Sequence, residues 1–86
     1  MFYTYVLRNG RTTRLYIGFS GNLKQRVVSH QKRDPAWQLV YYEAYASEAD
    51  ARQRECDLKQ YGSAWSGLKR RIQGSLELRK AGEALN

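Results

Sequence analysis

The chain is predicted to fold as a small mixed domain, α/β in the α+β sense. Three observations predict it. Two runs of aromatic and β-branched residues, 2–7 and 15–20, flank a polar turn. A segment with helical spacing, 23–32, opens behind a capping asparagine. A third aromatic run, 37–45, leads into two further helical segments. With 86 residues and 42% hydrophobic content, the chain suffices for one domain around one core.

Residues 2–7 read as a strand. Asn9-Gly10 is a strong turn dipeptide, so residues 15–20 are expected to return antiparallel as a hairpin. Pleat parity then fixes the faces. Phe2, Val6, Leu15, Ile17 and Phe19 share the face to be buried, while Tyr5 and Tyr16 share the other beside Gly18. A slip of one residue would break the apolar face and separate the tyrosines, so core and site ask for one register.

Asn22 caps a first helix with Leu23, Val27 and His30 on one stripe, and Asp34-Pro35 stops it. In the third strand, Leu39, Tyr41 and Tyr45 alternate against Val40, Tyr42 and Ala44. Ser47, with Asp50 as capping-box partner, opens a second helix carrying Ala51, Glu55 and Leu58 on its inner stripe. Gly62-Ser63 breaks it, and residues 64–72 form a third helix with Trp65, Leu68 and Ile72 on one side. The domain is expected over residues 1–73, and 74–86 read as a polar tail or loosely docked helix.

The formal net charge of +7 points to a polyanionic partner, nucleic acid first. Cys56 is the single cysteine, which excludes an internal disulfide and a cysteine-based zinc cluster. No apolar run approaches membrane-spanning length, and no signal-peptide pattern is present. The expected location is cytoplasmic, with no membrane partner.

Five polar residues form a kit for phosphodiester hydrolysis: Tyr5, Tyr16, Arg26, His30 and Glu55. A phenol accepts a proton from water when a neighbouring cation lowers its pKa. Against that, strand tyrosines more often pack than react. Arg26 and His30 are four apart and share a helix face. Arginine binds phosphate bidentately, although Lys24, Lys32 and Arg33 make a solvated basic face the bland reading. A lone histidine is more often simply hydrogen-bonded than reactive. Glu55 lies on a stripe where a carboxylate needs a partner, either a divalent ion or an arginine such as Arg26 or Arg52. Gly18 either clears room for a phosphate backbone or bends the strand. Lys24, Lys59, Lys69, Arg70 and Arg71 are candidate phosphate contacts.

These strings resemble the GIY-YIG nuclease superfamily, in its short single-domain branch of endonucleases, over residues 2–72. The second half of the name-giving motif stands intact as Tyr16-Ile17-Gly18. The first half departs: Tyr3-Thr4-Tyr5 stands where glycine and isoleucine belong, with the tyrosine kept as Tyr5. Arg26, His30 and Glu55 fall at the positions of the family's arginine, helix histidine and metal-binding glutamate. The resemblance implies a three-stranded antiparallel sheet flanked by helices. It also implies one Mg²⁺ or Mn²⁺ ion held by Glu55, and hydrolysis by in-line attack of water. DNA is the expected substrate, in structures of the repair and recombination type. The rival reading is a non-catalytic nucleic-acid-binding module on the same fold.

Overall fold

The computed structural model describes residues 1–77. Strand β1 (Phe2–Asn9) is central, with β2 (Leu15–Ser20) and β3 (Trp37–Tyr45) on either side. Both pairings are antiparallel, so the sheet order is β2-β1-β3 and the two outer strands are edges. Helix α1 (Leu23–Arg33) joins β2 to β3, and α2 (Glu48–Gln60) and α3 (Gly62–Arg71) follow. Among the described residues no helix is long and apolar enough to cross a membrane.

The hairpin register follows from burial on both faces. Val6 pairs with Ile17, Thr4 with Phe19 and Arg8 with Leu15; between them Tyr5 pairs with Gly18 and Leu7 with Tyr16. The apolar face expected from parity is the one that receives α2 and α3. Val6, Leu58, Leu68 and Ile72 form its buried centre, with Ile17, Val40, Tyr41, Ala64 and Trp65 packed around them. The face fades at its ends: Leu15 is exposed, and Phe2 and Phe19 are half-buried in a stacked pair. The buried Thr4 hydroxyl donates to the Ala51 carbonyl at 2.7 Å and fixes the start of α2 on the sheet.

β1 runs two residues beyond the expected strand because Asn9 organises the turn. Its side-chain oxygen accepts from the backbone N–H groups of Arg11 and Thr12, and its amide donates to Asp34 at 3.0 Å. An asparagine that satisfies two turn N–H groups and the Asp34 carboxylate can be buried in the strand end. Thr13 closes the turn in the left-handed region, with φ 62°.

The third strand departs from simple alternation. Leu7 pairs with Leu39 but Val6 pairs with Tyr41, so Val40 is an extra residue in a β-bulge. Leu39 therefore shares the Tyr5 face, whereas Val40 and Tyr41 both pack on the core. The expected grouping of Leu39 with Tyr41 fails at that bulge.

Both predicted caps form: Asn22 accepts from the Gln25 N–H and Ser47 from the Asp50 N–H. α1 contains no fully buried residue and covers its side of the sheet incompletely. Gly62-Ser63 does not separate α2 from α3 by a loop. Tyr61 alone is the junction, and α3 begins at Gly62. Residues 73–77 are helical, with Leu76 against the core. The rest of the expected tail, 78–86, lies outside the described residues.

Candidate active site

The face of β1 opposite the core carries Tyr3, Tyr5 and Leu7, and α1 lies over it. Tyr5 is completely buried. Its ring occupies the space above Gly18, its partner on β2. A Cβ at Gly18 would stand 2.5 Å from Cζ and from the hydroxyl oxygen of Tyr5, and 2.8 Å from Cε1 of Tyr16. Gly18 is thus required by the two tyrosines. It neither clears room for a phosphate, since Tyr5 fills that room, nor supplies a positive φ.

His30 comes down from α1 onto this pair. Its Nε2 is 3.3 Å from the Tyr5 hydroxyl, and its ring centroid is 4.6 Å from that of Tyr16. The Tyr5 and Tyr16 rings are 6.2 Å apart. Trp37 adds a fourth ring, 6.3 Å from Tyr16 and 6.4 Å from His30. Sequence reasoning missed Trp37. Its pairing with Asn9 puts it on the Tyr5 face, but the bulge at Val40 hides that parity from anyone counting back along β3.

Electrostatics divides these groups. Burial raises the Tyr5 pKa, and the charges of Tyr16 and Glu55 raise it further; a hydrogen bond from Arg26 and its positive charge work the other way. Burial lowers the His30 pKa, and Arg26 and Arg33 lower it more. His30 is therefore neutral near pH 7, and in the tautomer protonated at Nδ1 its Nε2 accepts a hydrogen bond from the Tyr5 hydroxyl. Arg26 itself sits at the exposed margin of α1, with solvent on one side and Tyr5 on the other.

Glu55 reaches this group only through its charge. α2 belongs to the layer on the core face, and Glu55 lies on its β2 side between two marked neighbours. Arg52 stacks over the Phe19 ring at 4.3 Å, and Lys59 lies beside Leu15, Tyr16 and Ile17. Residues 52, 55 and 59 follow helical spacing, so Glu55 runs along the open edge of β2. Its ion-pair partner is Lys59 at 3.0 Å, neither Arg26 nor Arg52; Arg52 pairs with Glu48 at 2.8 Å. The Glu55 side chain is 23% exposed. Among the described residues no three His, Cys, Asp or Glu side chains cluster as a metal cage. One accessible carboxylate suits an ion that takes one or two protein carboxylates and keeps water and phosphate oxygens, as Mg²⁺ does.

The structure thus gathers Tyr5, Tyr16, Arg26 and His30 and leaves Glu55 at the rim. Lys24 is exposed beside Tyr3 and Tyr42 at the start of α1. Lys69, Arg70 and Arg71 are exposed on α3, in the layer across the sheet from Tyr5.

Residues 1–71 match the model of the GIY-YIG catalytic domain. The chain belongs to the GIY-YIG family. No curated protein and no solved structure matches it. Membership in the GIY-YIG family implies nuclease-type chemistry on a nucleic-acid substrate, and the α+β fold of three antiparallel strands and flanking helices agrees with it. At the departing string Tyr3-Thr4-Tyr5, the side chain that meets His30 is that of Tyr5.

Proposed function

We propose that the chain is a metal-dependent nuclease that hydrolyses phosphodiesters, of DNA in repair or recombination structures, by in-line attack of water. The observation that carries this reading is the contact between Tyr5 and a neutral His30 with Arg26 alongside. Tyr5 takes the proton of the attacking water as its own hydroxyl proton passes to His30 Nε2. His30 rather than Tyr16 has the hydrogen-bond geometry to assist Tyr5. Tyr16, half-buried and in ring contact with His30, holds the imidazole against Tyr5. Arg26, on the solvent side, neutralises charge on the scissile phosphate. Glu55 holds the Mg²⁺ or Mn²⁺ ion, which when bound supplies Lewis-acid stabilisation of the leaving oxygen.

One pair of observations favours the second reading, a binding module without catalysis. Tyr5 has no exposed surface, and Glu55 is neutralised by Lys59. Incubation with branched and single-stranded DNA separates the two. Cleavage that needs Mg²⁺ and is lost in Glu55→Gln supports the nuclease; cleavage unchanged by that substitution removes the metal role. Binding insensitive to EDTA, with no products under any metal, establishes the module.

A further inference from the structure

Tyr42 is paired directly with Tyr5 across β1 and β3, so both side chains stand on the α1 side of the sheet. Tyr5 is buried there, but Tyr42 is 52% exposed. Tyr3, two residues before Tyr5, meets Tyr42 edge to face at 5.9 Å and 68°. The two rings floor an open depression of about 350 Å³ whose other wall is Gly21, Asn22, Leu23 and Lys24. A single exposed tyrosine is ordinary. This one is held upright by a second ring, adjoins the candidate active site by direct strand pairing, and faces a basic helix. α1 carries Lys24, Arg26, Lys32 and Arg33 and no acidic residue. Lys24 is the charged residue on the rim and its helix carries no acid to offset it, so the rim favours an anionic partner, and the ring face favours a planar one.

We propose that Tyr42, braced by Tyr3, is a stacking platform for one unpaired base of the nucleic-acid substrate, with Lys24 on an adjoining phosphate. A base inside a duplex already has both faces covered by its neighbours, so only an unpaired base offers a face to the ring. Nucleic acid with a single-stranded segment beside the phosphate held at Arg26 is therefore the preferred class. The position of the platform next to the cut rests on the nuclease reading; the stacking itself does not.

The test uses fluorescence anisotropy in EDTA, where nothing is cut, with a labelled oligonucleotide of about 12 residues, single-stranded or annealed. The variants are Tyr42→Leu, which keeps an apolar strand residue without a ring, and Tyr42→Trp, which keeps a ring. Loss of one stacked base weakens binding about tenfold. Tyr42→Leu is expected to show that loss for the single strand and none for the duplex, and Tyr42→Trp to restore wild-type affinity. A 2-aminopurine in the single strand is expected to be quenched by the wild type and by Tyr42→Trp, but not by Tyr42→Leu. Wild-type affinity of Tyr42→Leu for the single strand overturns the platform, and so does an equal loss on both substrates. A protein that passes this test yet never cleaves keeps the platform and loses the nuclease.

Discussion

The Tyr5 hydroxyl and Nε2 of His30, 25 residues apart in sequence, lie 3.3 Å apart and tie the central strand to α1. Because the chain holds a single histidine, its imidazole proton signals titrate without overlap. Burial, then Arg26 and Arg33, lower its pKa below 6.5, so NMR titration is expected to give a value under that figure. A depressed histidine pKa means that the unfolded chain binds the extra proton first. Its contribution to stability is complete above pH 6.5 and is lost as pH falls through the folded value. Arg26→Gln removes one of the two cationic causes and is expected to move the His30 titration upward, toward 6.5. A His30 pKa unmoved by Arg26→Gln would show that the guanidinium does not act on the imidazole. If the neutral imidazole receives the Tyr5 proton, the acid limb of the cleavage profile shifts with the same variant.

Gly18→Ala is expected to damage the site from beneath. The added Cβ meets Tyr5 and Tyr16 at 2.5–2.8 Å, contacts that side chains do not tolerate without moving. Tyr5 is fully buried and has little room to yield, so an overpacking cost of about 1–3 kcal/mol follows. Cleavage should fall more than stability does, because the displaced ring carries the hydroxyl that meets His30. A double-mutant cycle in urea checks the cause. In a Tyr5→Leu background the shorter side chain relieves the clash, so Gly18→Ala should cost less there than in the wild type. Additive costs would place the damage elsewhere.

Much of this arrangement was legible from periodicity. Two faces of the hairpin demanded one pleat parity, because a slip of one residue would expose Val6 and Ile17, and that parity put Tyr5, Tyr16 and Gly18 on one face. The caps at Asn22 and Ser47 were equally plain, since each is a local hydrogen bond between near neighbours. What escaped depends on contacts between distant segments. The bulge at Val40 appears only when β3 is laid on β1, and it hid Trp37. The use of Gly18 depends on where the Tyr5 ring falls, which pleat parity does not determine. Glu55 was legible as a half-buried acid but its partner was not: Arg26, Arg52 and Lys59 all stood within sequence reach, and α2 lies on the opposite side of the sheet from Arg26.

Glu43 should prove structural rather than catalytic. Arg54 donates to both its oxygens at 3.0 and 3.1 Å, and the hydroxyls of Tyr41 and Tyr45 donate to it as well. Burial pushes the carboxyl pKa up, but the bonds from Arg54, Tyr45 and Tyr41 outweigh it and hold it below 4.5. Its contribution to stability is therefore complete above pH 4.5 and is lost as pH falls through the lower folded value. Burial and the same carboxylate push Tyr41 and Tyr45 up to about 12, so their share is complete below pH 10 and fades as pH rises toward 12. Glu43→Ala is expected to cost about 2–3 kcal/mol, less than a fully buried pair because the Arg54 side chain is 26% exposed. Denaturant midpoints of Glu43→Ala against pH check both the size and the acid dependence. A variant as stable as the wild type at pH 7 would show the cluster to be idle.

Lys59 and a divalent cation compete for the same carboxylate. The ammonium sits 3.0 Å from Glu55 on an i,i+4 pair whose side chains are 50% and 23% exposed. Exposed helical pairs of this kind contribute about 0.3–0.5 kcal/mol, so the pair hardly supports the fold. Its removal in Lys59→Ala should leave the melting temperature nearly unchanged. The same energy, released to a bound ion, amounts to about a twofold gain in divalent affinity. Calorimetric titration with Mn²⁺ reads this without any turnover, and Glu55→Gln serves as the variant in which binding is lost. If Lys59 instead serves mainly to hold a phosphate, Mn²⁺ affinity stays as in the wild type while oligonucleotide affinity falls and its salt dependence weakens by about one charge. The first outcome moves Mn²⁺ affinity and the second moves oligonucleotide affinity, so one pair of titrations decides whether Lys59 guards the carboxylate or reaches past it to the substrate.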